Sequence, residues 1–242
     1  MWLYAHIVTL SHPPEEDEAA TPGLGIAGII GDAWRQTRDF IRRERAFMRY
    51  QYWFFLYGCG FMSAAPLLII LVTDILHLSY VRATIILTVA PQLALLLLSP
   101  LVGKLYDRVN PILTMVWATL LLGFYSLSMT QCNTFSIALA AIMLYSVAMV
   151  GVNMSWSLCS LYFAGHKRSE PFSSMHVAMT GLRALIAPWL GVLALRFVDL
   201  HTAYLIPAGF FFACTAGMWR LHRRRQLTAD MLNDERGMMN NE

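Results

Sequence analysis

VNPILTMVWATLLLGFYSLSMTQCNTFSIALAAIMLYSVAMVGVNMSWSLCSLYFAG, the stretch from Val109 to Gly165, runs without a single Asp, Glu, Lys or Arg. A helix that crosses a bilayer needs roughly 20 apolar residues at about 1.5 Å rise each. The stretch is too long for one crossing, and Thr130-Gln131-Cys132-Asn133 reads as a turn that divides it into two. Upstream, Tyr50 to Thr73 and Ala83 to Gly103 are equally free of charge and each supplies one more crossing. Downstream, Pro171 to Leu195 and Thr202 to Trp219 add the last two. The expected spans are therefore about 50–73, 83–103, 111–130, 134–163, 171–195 and 202–219. They are helical, because backbone groups in lipid must pair within their own segment or within a closed barrel, and barrel-type alternation is absent. The expected fold class is an all-α integral membrane protein with a six-transmembrane-helix bundle.

Composition agrees. The 242 residues are 57% hydrophobic and 14% charged, with mean hydropathy +0.51, whereas a soluble domain carries about 25% charge. That excludes a cytosolic globule and a disordered chain. With Gly 15, Pro 10 and Cys 4 it also excludes a collagen-like chain and a disulfide scaffold. Cys59, Cys132, Cys159 and Cys214 lie on different segments without CxxC spacing and read as small apolar residues. No metal site and no cofactor are expected.

Lys and Arg in the loops orient the spans. Arg35, Arg38, Arg42, Arg43, Arg45 and Arg49 precede the first span. Lys104 and Arg108 follow the second, Lys167 and Arg168 the fourth, and Arg220 with Arg223 to Arg225 the sixth. All fall on one side, and the opposite loops hold only Arg82 and Arg196. The expectation is a multi-pass protein of the plasma (cell inner) membrane with both termini cytoplasmic. The basic runs read as a topology signal in contact with anionic membrane lipid, with no nucleic-acid partner.

Four segments follow. Residues 1–31 are polar and acidic, with Met1 to Leu10 a poor signal peptide for want of a basic flank. Residues 32–49 form a basic cytoplasmic linker or an interfacial helix, with Trp34, Phe40, Ile41 and Phe47 between arginines. Residues 50–222 are the bundle, and 223–242 a cytoplasmic tail expected to fray.

A charge at mid-membrane costs about 2.5 to 3.5 kcal/mol on insertion scales, so such a residue is informative. Arg183 occupies the middle of the fifth span. It is either a structural arginine bonded to carbonyls near the Pro188 kink or a group facing a water-filled cavity, where it meets an anion. No acidic residue lies at mid-membrane, so a carboxylate partner would come from substrate or from another polypeptide. On the same helix Thr180, Ala184, Ala187 and Gly191 form a small-residue packing stripe. His176 and Leu190 share a line with Arg183. His176 is either a proton relay or an interfacial hydrogen-bonding histidine. The fourth span carries Ser146, Asn153, Ser157 and Ser160 on one side, and the second carries Thr88, Gln92 and Ser99. These stripes face protein or water, as interhelical glue or as a solute pathway. The third and sixth spans have no Asn, Gln or charge in their middles, which suggests a peripheral position. Pro66, Pro91, Pro100 and Pro188, alongside Gly58, Gly60 and Gly151, are sites for bends.

Between the second and third spans, Gly103-Lys104-Leu105-Tyr106-Asp107-Arg108 resembles the G-x-L-x-D-R signature of the major facilitator superfamily. The G-R/K pair that follows in the family is Asn110-Pro111 here. The Arg-rich stretch entering Tyr50 resembles the linker joining the two halves of such a transporter, and GLRALIAPWLG, Gly181 to Gly191, resembles the fifth span of a carboxy-terminal half. The resemblance runs from Asp32 through the basic tail. It implies that Gly103, Asp107 and Arg108 form a cytoplasmic latch in which the Asp caps or pairs with a neighbouring helix. It also implies that the first, second, fourth and fifth spans line the cavity. Family members have twelve spans as two six-helix repeats and this chain has one. It reads as a fragment, a split gene product or a self-associating half-transporter.

The resemblance implies secondary active transport of a small solute by alternating access, as the carboxy-terminal half of a twelve-span transporter. Arg183 would be anchor or gate, with Asn153, Ser157 and Gln92 as polar lining. The partner would be the amino-terminal half or a second copy, and the lone arginine leans the solute towards an anionic or zwitterionic one. The alternative is a non-transporting multi-pass partner or scaffold that docks through its small-residue faces. An enzyme is not expected, and no catalytic residue is assigned. There is no P-loop, no HExxH and no mid-membrane carboxylate pair.

Overall fold

The computed structural model describes residues 26–106, 110–165 and 168–239, which are helical with short connections and contain no strand. The acidic run Glu15 to Glu18, Lys167 and two of the signature residues, Asp107 and Arg108, lie outside the described residues. The chain divides into two units, residues 1–44 and 45–242.

The first unit contributes the helix Ile26–Arg43. Helical spacing puts Ala33, Thr37, Phe40 and Ile41 along one side, with Arg35, Arg38, Asp39 and Arg42 opposite. Arg35 reaches the Asp32 carboxylate at 3.7 Å in an exposed pair, and Trp34 is 70% exposed.

The second unit holds six helices long and apolar enough to cross a membrane: Arg45–Ile75, Tyr80–Lys104, Pro111–Met129, Phe135–Ala164, Glu170–Ala194 and Leu200–Gln226, numbered one to six. The helix that carries the first span begins at Arg45, ahead of Tyr50, where the charge-free stretch starts. Arginine buries its stem and keeps its head in water, so Arg45 and Arg49 stay exposed while Phe47 and Tyr50, on the same turns, are buried. Phe47 thus belongs to the span and not to the amphipathic segment, with ring centroids 5.5 Å from Phe163 and 5.0 Å from Phe172. At the other end the helix Leu205–Met239 continues into the tail. Between Leu221 and Arg236 there is neither proline nor glycine, and leucine, arginine, methionine and glutamate favour helix.

Polar caps define the connections. Asn110 Oδ1 accepts the Ile112 amide at 2.8 Å, with Pro111 in the first turn. Asp199 Oδ2 accepts the Thr202 amide at 3.0 Å. Gly165, at φ +56°, closes the fourth span with its amide on the Leu161 carbonyl at 3.0 Å. Two wide π turns flank the loop between spans one and two, Leu71–Ile75 and Ile85–Val89. The second lies directly before Pro91, which has no amide for the carbonyl four residues back and whose ring would strike it; widening the helix there relieves both.

The spans pack in the order five, one, six, three, four, two. Spans three and six, expected at the periphery, form the base of the bundle. A span without Asn or Gln can still be central, because packing in lipid relies on small residues and hydroxyls as much as on strong polar groups. Thr119 and Thr215 join spans three and six, oxygen to oxygen, at 2.9 Å. Ser126 Oγ donates to the Tyr204 carbonyl at 2.8 Å. Gly123 lies against the Phe212 ring, and Gly217 against Trp53 of span one. Spans five–one and two–four stand as two arms on this base.

Candidate functional site

Between the arms lies a cavity of about 430 Å³, walled mainly by spans one, two and four, with Tyr125 of span three and Phe211 of span six at its floor. Phe61 and Tyr145 stack across it with centroids 6.4 Å apart and planes 8° from parallel, and the Tyr125 ring lies 5.1 Å from Tyr145. The volume lies within the range of small-molecule pockets, about 300 to 1,000 Å³. Gln92 and Asn153 line this cavity, both exposed. Their side-chain amides make no hydrogen bond among the described residues. Ser157 is exposed one turn further along and donates to the Asn153 carbonyl at 3.1 Å, so its hydroxyl is occupied by its own helix. Ser146 is likewise occupied, buried and bonded to the Ile142 carbonyl at 2.6 Å.

A second polar centre lies below the cavity, where spans one, four and five meet. Arg183 is 3% exposed. Its guanidinium sits over three rings, Phe54 at 5.2 Å, Trp156 at 5.6 Å and Tyr57 at 5.7 Å. Nη1 donates to the Phe54 carbonyl at 3.0 Å. That carbonyl already serves the helix, and its second lone pair is accessible because the residue one turn on is Gly58. A Cβ at Gly58 would overlap the guanidinium. Nε has no hydrogen-bond partner, and none of the ion pairs among the described residues involves Arg183. The positive charge is therefore held by π faces and a carbonyl dipole in place of a carboxylate, an arrangement worth most when desolvated.

His176 adjoins the same rings, its centroid 4.4 Å from Trp156 and 4.8 Å from Phe54. It is buried among the helices. Nδ1 faces the amide of Gln51, 2.8 Å from its nitrogen and 3.1 Å from its oxygen, so either tautomer finds a partner. Cys159 Sγ lies 3.8 Å away, and Nε2 is unpartnered. Neither Arg183 nor His176 lines the cavity. Tyr57 stands between the two sites, touching Arg183 below and Phe61 above at 6.0 Å, with its hydroxyl towards Met149 Sδ at 4.0 Å.

The two faces expected on span five merge. Its buried residues are Phe172, His176, Arg183, Ala187, Gly191 and Ala194, whereas Ala184 is exposed and Thr180 and Pro188 are half-buried. Pointing Arg183 at span one turns the helix so that Ala187 and Gly191 follow it into the contact and Ala184 leaves it. Gly191 packs directly on the Ser63 carbonyl. At the signature loop, Gly103 lies within the helix of span two, and a Cβ there would meet open space. Asn110, half of the pair that departs from the family pattern, caps span three and donates through Nδ2 to the Tyr162 hydroxyl at 2.8 Å.

Sequence reasoning missed Gln51 and the rings Phe54, Tyr57 and Trp156, and read Gly58 only as a site for a bend. Gln51, the sole amide side chain in Tyr50 to Thr73, was the available signal. No cluster of three metal-ligating side chains occurs among the described residues.

Among the described residues, six apolar helices of bilayer length, five of which line a cavity with unpaired amides on its wall, define a multi-pass helical membrane protein. The chain matches no protein-family model and none of the curated proteins with which it was compared.

Proposed function

We propose that this chain works as the carboxy-terminal six-helix half of a secondary transporter of the major facilitator type, moving a small solute by alternating access across the plasma membrane, with both termini cytoplasmic. The observation that carries the reading is the cavity between spans one, two and four with the unpaired amides of Gln92 and Asn153 on its wall. Two exposed amides without a protein partner offer donors and acceptors to a solute that enters the cavity. The signature-like Gly103 to Arg108 supports the same reading, with Asp107 and Arg108 as cytoplasmic latch. A second six-helix bundle, the amino-terminal half or another copy, completes the pathway. In this scheme Arg183 is a gating residue that ties span five to span one through the Phe54 carbonyl, and Ser157 plays no direct part in solute contact. A non-transporting scaffold would use the exposed apolar faces of spans two and five but gives the free amides no role.

The test is solute uptake by the complete assembly reconstituted in vesicles. Arg183→Lys is expected to impair uptake strongly, because an ammonium cannot lie flat against three rings while donating to the carbonyl. Wild-type uptake by that variant would remove Arg183 from the mechanism, and absence of gradient-driven uptake of any solute would refute transport.

A further inference from the structure

Resting on the reading of the cavity as a solute site, we infer that it takes an uncharged, ring-bearing solute with one or two hydrogen-bonding groups, and not an anion. Three observations point the same way. None of the residues lining the cavity carries charge at neutral pH. Its broadest surfaces are ring faces, Phe61 stacked parallel to Tyr145 and Tyr125 tilted against Tyr145, which suit an offset aromatic or alicyclic ring. The buried cation of the bundle, Arg183, does not line the cavity; it lies against Tyr57 and is already bonded to the Phe54 carbonyl. From this chain an anion entering the space would gain, in exchange for its hydration, only neutral amide donors, which do not compensate a desolvated charge. An uncharged ring loses little on leaving water and recovers apolar contact over most of its surface. Gln92 on span two and Asn153 on span four then supply donors and acceptors from two sides, fixing the orientation of a hydroxyl or carbonyl on the ring.

The test is equilibrium binding of two radiolabelled probes with the same ring system, 1-naphthol and 1-naphthoate, to the full chain in lipid nanodiscs at neutral pH, with empty nanodiscs subtracted for partitioning. Saturable 1-naphthol binding at least tenfold tighter than 1-naphthoate is expected. Ala65→Trp, which fills the cavity from an exposed wall position, should abolish it. Gln92→Leu should weaken it roughly fivefold, the factor of one neutral hydrogen bond. Naphthoate binding as tight as naphthol, or naphthol binding no different from empty discs, overturns the inference. Uptake of the same probes into vesicles by the complete assembly separates the two readings. Naphthol binding without uptake refutes transport alone, and preferential naphthoate uptake refutes the solute class alone.

Discussion

Replacing Gly58 by alanine sets two physical effects against each other, and their sizes decide the sign. Alanine within a helix is favoured over glycine by about 1 kcal/mol, so propensity alone predicts a more stable protein. The contact geometry predicts the reverse, because the added methyl would overlap the Arg183 guanidinium. Moving that group breaks its bond to the Phe54 carbonyl, about 2 kcal/mol for a charged donor. It also loosens at least one of the three ring contacts, about 1 kcal/mol when desolvated. The net is a loss of about 2 kcal/mol in Gly58→Ala once the propensity gain of about 1 kcal/mol is deducted. Arg183→Leu ends at Cδ and so removes the obstructing Nε, Cζ and Nη1 atoms, and in that background Gly58→Ala should stabilise by about 1 kcal/mol, a coupling of about 3 kcal/mol across the cycle. Reversible unfolding of the four proteins in detergent, followed by tryptophan fluorescence and by helical circular dichroism, measures each corner. A Gly58→Ala protein as stable as wild type, or an equal loss in both backgrounds, would refute the account of Arg183 as a group seated in the space that glycine leaves.

Gly191→Ala places its methyl on the Ser63 carbonyl, backbone against backbone, and should cost about 1 to 3 kcal/mol as overpacking; in contrast to Gly58→Ala, Arg183→Leu should not rescue it, which the same unfolding assay reads. Asn110→Ala removes both the cap on Ile112 and the tie to Tyr162 and should cost about 1 kcal/mol, whereas Asn110→Asp should keep the cap and regain most of that loss. The Asp199 carboxyl is held below the usual carboxylate range by hydrogen bonds from the Thr202 hydroxyl and amide. A depressed acid stabilises the folded turn above its ordinary pKa of about 4 and loses that contribution as pH falls through the depressed value. Amide exchange at Thr202, corrected for intrinsic rate, should therefore be protected near neutrality and lose protection at acid pH. Asp199→Asn should flatten the profile, and an unchanged profile in that variant would contradict the cap.

The six spans were legible because lipid imposes a coarse rule, and the absence of charge from Val109 to Gly165 is enough to apply it. Boundaries were less legible where a charged residue could remain in water while its helix entered the bundle, as at Arg45 and Arg49. The polar stripes on spans two and four identified Gln92 and Asn153 by residue type and period alone. What the period could not supply was rotation about the helix axis, so the small-residue stripe through Ala184 and the separate line through Arg183 became one face. The partners of Arg183 were hidden for a different reason. A carbonyl belongs to every residue, and it becomes available as an acceptor only where the next turn bears no side chain. Gly58 therefore contributes through a neighbour's backbone, which no pattern of apolar and polar letters records.

The paired π turns, Leu71–Ile75 and Ile85–Val89, have a mechanical consequence for the loop they flank. A π turn holds one residue more than the α turn it replaces, and each residue returned to α register rotates the chain beyond it by about 100°. The connection between spans one and two therefore hangs between two stores of slack, one in each span. Slippage at one end can be taken up at the other while Phe61 and Gln92 keep their places on the cavity wall. The loop can turn like a swivel above a bundle that does not.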